Sequence, residues 1–181
     1  MPYFIPLTVG FIGTAVYCFS FQQKKRKNII FLNVISRLLF ILQYVLLGAF
    51  AGAILDVLGA LASYIAGKKD AAFIQKHLKL IIVLLDVAIV AAGVILAIVN
   101  QSWLDLLPVV AVLLHTGSFW LSRESTIRIV YLIGCPFWLV YNFMTAAYGS
   151  MAGDLLSMGS LVIAMIRYRN KPNVGEEHAH V

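Results

Sequence analysis

Apolar residues along this chain come in blocks of about twenty, broken by short clusters of Lys, Arg and small polar residues. At 1.5 Å per residue such a block spans a hydrocarbon core of about 30 Å. The blocks are continuous rather than alternating, which favours helices over a barrel, and a helix satisfies its own backbone groups in lipid. The punctuation predicts seven spans, at residues 3–20, 29–47, 52–66, 78–99, 104–121, 127–147 and 151–167. The second and third lie in one run of 39 residues, 29–67. As one helix it would measure about 60 Å, so it must fold back on itself. The small residues Gly48, Ala49, Ala51 and Gly52 mark the turn. A similar tip at 147–150 separates the sixth span from the seventh.

Composition sharpens this reading. Of 181 residues, 61% are hydrophobic and 12% charged, with a mean hydropathy of +0.91. About a quarter of a soluble domain is usually charged, so these charges cannot cover a globule. Their placement sets the orientation. Lys24, Lys25, Arg26 and Lys27 follow span one; Lys68, Lys69, Lys76 and Lys79 lie between spans three and four; Arg123 and Arg128 lie between spans five and six; Arg167, Arg169 and Lys171 follow span seven. With seven spans these thirteen share one side, and the fourteenth, Arg37, lies within a span. The N-terminus is therefore outside and the C-terminus cytoplasmic. Charges follow the first apolar stretch instead of preceding it, the reverse of a cleavable signal peptide. The net charge of +6 is thus topological. No aromatic stacking platform accompanies the basic clusters, which argues against a nucleic-acid partner. Cys18 and Cys135 sit inside spans and read as packing residues rather than a disulfide. The tail, 170–181, is polar and reads as disordered; its Glu176, Glu177, His178 and His180 have no fixed geometry for a metal.

A weak, ordered repeat runs through the chain. Pro6, Thr14 and Ser20 recur as Pro108, Thr116 and Ser122, 102 residues on; Gly48 through Asp56 match Ala146 through Asp154, 98 residues on. Three spans are an odd number, so two such units need an extra crossing to become parallel. Span four supplies it. The expected fold is an all-α membrane protein of seven transmembrane helices in a 3+1+3 parallel repeat. Residues 1–67 form the first three-helix bundle, 68–102 the linker with span four, and 103–169 the second bundle. Parallel repeats of this kind occur in SWEET-type sugar transporters, with the solute site near the midplane.

The segments from Trp103 to Pro108 and from Phe119 to Ser122 resemble the bacterial inner-membrane YgjV family. So do Pro136, Phe137, Trp138, Tyr141, Asn142, Phe143 and Gly149 within 128–168, and the stretch Gln43–Gly48. The resemblance implies a multi-pass protein of the bacterial cytoplasmic (inner) membrane and carries no particular activity. More distantly the pattern is similar to the SWEET and PQ-loop superfamily, which includes transporters and retrieval receptors. There an Asn, then Gly, then Tyr marks the third helix of a repeat. Asp56, Gly59 and Tyr64 stand here, and Asp154, Ser157 and Tyr168 in the second unit. Asp replaces Asn twice and the Pro-Gln pair is absent, which speaks against a neutral sugar.

Ionisable side chains at mid-depth are costly and need a partner or an aqueous cavity. Counting about 1.5 Å per residue from the cytoplasmic ends, Arg37 lies about 12 Å deep, Asp56 about 16 Å, Asp154 about 20 Å, Asp86 about 12 Å and His115 about 10 Å. Arg37 and Asp56 are within reach of one another, as a structural ion pair or as the wall of a solute pathway. Asp154 has no basic twin in its own unit and is the candidate proton carrier. His115 is the residue type that exchanges protons near neutral pH, or a hydrogen-bonded packing residue. Asp86 could instead face Lys79. Trp138, Tyr141 and Asn142 could line a cavity, and Gln43 completes the candidates. Trp103 and Trp120 read as interfacial anchors. No nucleophile, P-loop or metal motif occurs, so neither an enzyme nor a cofactor is expected. The expectation is a transporter of a small polar solute, by alternating access and with a proton link in view. The alternative is a non-transporting receptor or scaffold. The bilayer is the first partner, and a homodimer is one admissible assembly.

Overall fold

A computed structural model describes residues 4–145 and 148–168. The tail at 170–181 and the tip residues 146–147 lie outside the described residues. The remainder is helical: α1 (Phe4–Phe21), α2 (Arg26–Leu47), α3 (Phe50–Gly67), the short α4 (Ala72–Lys76), α5 (Leu78–Val99), α6 (Leu106–Phe119), α7 (Glu124–Met144) and α8 (Tyr148–Tyr168). Six of these (α1, α2, α3, α5, α7 and α8) are long and apolar enough to cross a membrane. The stretch predicted as span five is shorter. It opens as a 3-10 turn, Trp103–Asp105, and continues as α6. Its 14 residues reach about 21 Å, and the turn adds about 6 Å. Pro108 sits in the first helical turn, where its missing N–H costs nothing.

The fold-back between α2 and α3 falls at Gly48. This residue adopts φ 73°, and the Ala49 N–H reaches the Tyr44 carbonyl at 2.9 Å. That left-handed C-cap closes α2, and glycine accepts the conformation without a Cβ penalty. In the loop after α3, α4 forms a single surface turn with no buried residue.

The helices pack in order, α1 on α2 on α3 and α6 on α7 on α8. The two sets meet where α1 lies against α8 and α3 against α6. α5 touches α3 and α6 and buries only Ile89 and Gly93, leaving most of its apolar surface outward. A helix apolar all round with so little protein cover is suited to lipid.

One end of the bundle is tied by basic side chains on carbonyls. Arg26 of α2 donates to the Leu121 and Phe119 carbonyls at the C-terminus of α6, and to Ala66. Arg128 of α7 donates to the Phe21 and Gln23 carbonyls at the C-terminus of α1. Lys69 reaches the Trp120 carbonyl at 3.1 Å. Helix C-termini present unpaired carbonyls and the negative end of the macrodipole, so cations belong there. Burial, with Arg26 beside it, holds the Lys69 ammonium below its ordinary pKa.

Two apolar clusters follow along the bundle. One gathers Tyr17, Phe21, Phe119, Ile127, Tyr131 and Leu161 beside the basic end. The other gathers Tyr44, Leu55, Val109, Val112, Trp138 and Tyr141. Phe40 packs against both.

Candidate functional site

Between these clusters lies a polar cavity of about 30 Å³. A volume of that order holds one or two waters where polar groups line it, and falls far below a site for a drug-sized solute. Its wall takes Tyr17 from α1, Arg37, Phe40 and Tyr44 from α2, Asp56 from α3, His115 from α6, Tyr131, Trp138 and Asn142 from α7, and Ser150 and Asp154 from α8. Every helix of both three-helix sets contributes, and α5 contributes nothing.

Arg37 is 3% exposed. Its Nε donates to Asn33 Oδ1 at 3.2 Å, and its Nη1 to Asp56 Oδ1 at 2.5 Å. The ion pair anticipated from helix depth is present. Gly59 makes room for it, since a Cβ there would collide with the guanidinium. Nη2 has no hydrogen-bond partner, the one such buried side-chain nitrogen or oxygen among the described residues. Leaving a buried charged donor unmet is costly, and the Tyr131 hydroxyl on the cavity wall is the acceptor that lies beside the guanidinium.

Asp154 is held differently. Asn142 Nδ2 donates to its Oδ2 at 2.8 Å, a neutral amide where Asp56 has a guanidinium. The Asn142 Oδ1 lies 3.5 Å from the Tyr44 hydroxyl. Asp154 is partly exposed, whereas Asp56 is buried.

His115 lies flat on Tyr131, ring centroids 3.6 Å apart, with its Nε2 3.1 Å from the Tyr131 carbonyl. A carbonyl only accepts, so Nε2 carries the proton. The imidazole approaches α7 over Gly134, where any Cβ would strike the ring. His115 therefore reaches the cavity as a clamped residue.

Six predicted residues (Arg37, Asp56, His115, Trp138, Asn142 and Asp154) converge on this cavity. Two stand behind it. Gln43 accepts from Ser150 Oγ at 3.4 Å, and Tyr141 packs edge-on against Trp138 at 6.0 Å. Asp86 lies away on α5, and among the described residues no salt bridge joins it to Lys79. Cys18 and Cys135 are free thiols.

Tyr17, Phe40, Tyr44, Tyr131 and Ser150 line the cavity without having been singled out from the sequence. A signal existed. Asn33, Arg37, Phe40 and Tyr44 follow the i, i+4, i+7, i+11 spacing that places residues on one helix face. Tyr131, Cys135, Trp138 and Asn142 repeat that spacing on α7. The two stripes touch twice: Asn33 Nδ2 donates to the Tyr131 hydroxyl at 2.9 Å, and Tyr44 meets Asn142.

Comparison with curated proteins and with solved structures yields no match. The family model described as Imp-YgjV, bacterial inner membrane protein, matches residues 4–172. With that match over nearly the whole length, and several helices long and apolar enough to cross a bilayer, the chain belongs to the Imp-YgjV family and is a multi-pass protein of the bacterial inner membrane.

Proposed function

We propose that this protein carries a small polar solute across the inner membrane by alternating access between two three-helix units, with a proton as the coupling candidate. The observation that carries the reading is the small polar cavity between two apolar plugs, each plug built from both units. A carrier needs one solute site and two barriers that part in turn. The basic-end plug, around Tyr17, Phe21 and Tyr131, is one such barrier. The Tyr44–Trp138 stack, centroids 6.1 Å apart, belongs to the other. A cavity of about 30 Å³ then corresponds to the state in which both are shut.

The reading includes seven spans in a 3+1+3 parallel repeat, N-terminus out and C-terminus in, with α6 as the fifth span. Support comes from matched contacts. Arg26 ties α2 to the C-terminus of α6, and Arg128 ties α7 to the C-terminus of α1. The Asn33–Tyr131 and Tyr44–Asn142 contacts each join positions 98 apart, the offset between Asp56 and Asp154. A distant kinship with the SWEET and PQ-loop proteins would account for this arrangement. A non-transporting receptor or scaffold is the second reading, and the small cavity favours it, since such a protein needs no solute-sized site.

Proteoliposomes containing the purified protein decide between the two. A carrier shows saturable uptake of some solute from a polar-metabolite screen, reduced at least tenfold by Asp154→Asn. A receptor or scaffold shows none. Single-cysteine labelling should find positions 51 and 101 outside and positions 26, 69 and 123 inside; position 101 on the inside would end the seven-span topology.

A further inference from the structure

The cavity carries more information about its occupant than polarity alone. Arg37 and Asp56 compensate one another across 2.5 Å, and the His115 Nε2–H is taken up by the Tyr131 carbonyl. When ionised, Asp154 is then the uncompensated charge, with only the neutral Asn142 amide against it. The wall is otherwise aromatic, from Tyr17, Phe40, Tyr44, Tyr131 and Trp138. Aromatic faces present the negative end of a quadrupole, which attracts cations and repels anions. Against this stands Nη2 of the 3%-exposed Arg37, a donor with no partner at hydrogen-bond distance although the Tyr131 hydroxyl lies beside the guanidinium.

From this combination we infer that the cavity is a site for a small primary ammonium ion bearing a hydroxyl oxygen, its nitrogen on Asp154 and its oxygen on Arg37 Nη2, and that a proton competes with it for Asp154. This assignment rests on the transport reading and names its substrate class. A bare metal cation would leave Nη2 unmet and lie near a guanidinium. A carboxylate anion would add a second negative charge beside Asp154. An amino alcohol satisfies both ends and neutralises the site. Admission of such a molecule requires the Tyr44–Trp138 stack or the Tyr17–Tyr131 contact to part, since the shut cavity holds only water-sized volumes.

Ammonium and proton neutralise the same carboxylate, so they exclude one another and the carrier exchanges one for the other. The charged and titratable groups facing Asp154 are few. Across the cavity stand Arg37 and Tyr44 of α2, Asp56 of α3 and His115 of α6. On the two helices packed against α8 are Tyr17 and Cys18 of α1, and Tyr131 and Cys135 of α7. Arg37, the one fixed cation among them, is already committed to Asp56.

The test uses the full chain in nanodiscs, titrated with ethanolammonium chloride by calorimetry in two buffers of different ionisation enthalpy. The expected result is release of about one proton per ligand bound, with Kd falling roughly tenfold per pH unit until Asp154 is ionised. Asp154→Asn should remove the proton release and weaken binding about 100-fold, whereas Asp86→Asn should leave both unchanged. Asp154→Glu, which keeps the charge, guards against a folding defect and should still release a proton. Ethylammonium, which lacks the hydroxyl, should bind at least tenfold more weakly, reporting on Nη2 without altering Arg37. Preference for acetate, glycine or potassium ion over ethanolammonium, or pH-independent binding, overturns the assignment. Flux of another solute without ethanolammonium binding also overturns it while leaving the transport reading standing. Proton-linked binding without flux in proteoliposomes supports the site and removes transport.

Discussion

Asp56 and Asp154, equivalent positions of the proposed repeat and 98 residues apart, face one cavity from α3 and α8 but are held in opposite ways. Asp56 is buried against the Arg37 guanidinium, on a helix that carries Gly59 to admit it. Asp154 takes a single amide donor from Asn142, and the position aligned with Gly59 is Ser157. Position 135, aligned with Arg37, is a cysteine. The first half spends its carboxylate on an internal ion pair, while the second leaves its carboxylate available. Equivalent positions of the proposed repeat thus carry different roles, because the neighbouring helix decides whether a charge is used up.

The largest expected effect comes from breaking the pair. Asp56→Asn or Arg37→Gln should destabilise the protein by about 3–5 kcal/mol, because the surviving charge is stranded without compensation. The double substitution should recover part of that loss. Matched detergent melting curves of the three variants measure it, and additive losses would show that the two residues do not act as a pair.

Next is the glycine that admits the guanidinium. Gly59→Ala places a Cβ against Arg37 and should cost about 2 kcal/mol, whereas Ser157→Ala at the aligned position of α8 should cost under about 1 kcal/mol. Equal losses in thermal unfolding would erase the distinction between the halves.

The basic ties come third, and here the halves should agree. Arg26→Gln and Arg128→Gln each remove charged donors from helix C-terminal carbonyls, at about 1–1.5 kcal/mol apiece. A difference of more than about 1 kcal/mol between them in denaturant unfolding would separate the two ends of the proposed repeat.

The smallest effect on stability belongs to Asp154→Asn. The new amide oxygen still accepts from Asn142, so the melting temperature should shift by less than the equivalent of about 0.5 kcal/mol. Function should nevertheless change most here, since solute flux should lose its pH dependence. A stability loss matching that of Asp56→Asn would assign both carboxylates to folding.

The membrane class, the helical architecture and most of the helices were legible in the sequence, because lipid imposes its rule locally. A backbone in hydrocarbon must bond to itself, and about twenty apolar residues are needed to cross. Span four coincides with α5, and the turn at Gly48 stands where the small residues placed it. The Arg37–Asp56 pair was legible too, since the helix rise converts sequence position into depth. Depth, however, says nothing about azimuth. Only packing decided that Asp86, half-buried on the outlying α5, stays apart from the cavity, that Tyr141 and Gln43 stand behind it, and that Tyr17 and Tyr131 form its wall. Packing also decided that Arg37 Nη2 is left without a partner, because that outcome depends on the joint rotation of α2, α3, α6 and α7 about their own axes. No single segment encodes those rotations; interlocking side chains such as His115 over Gly134 and Arg37 over Gly59 set them together.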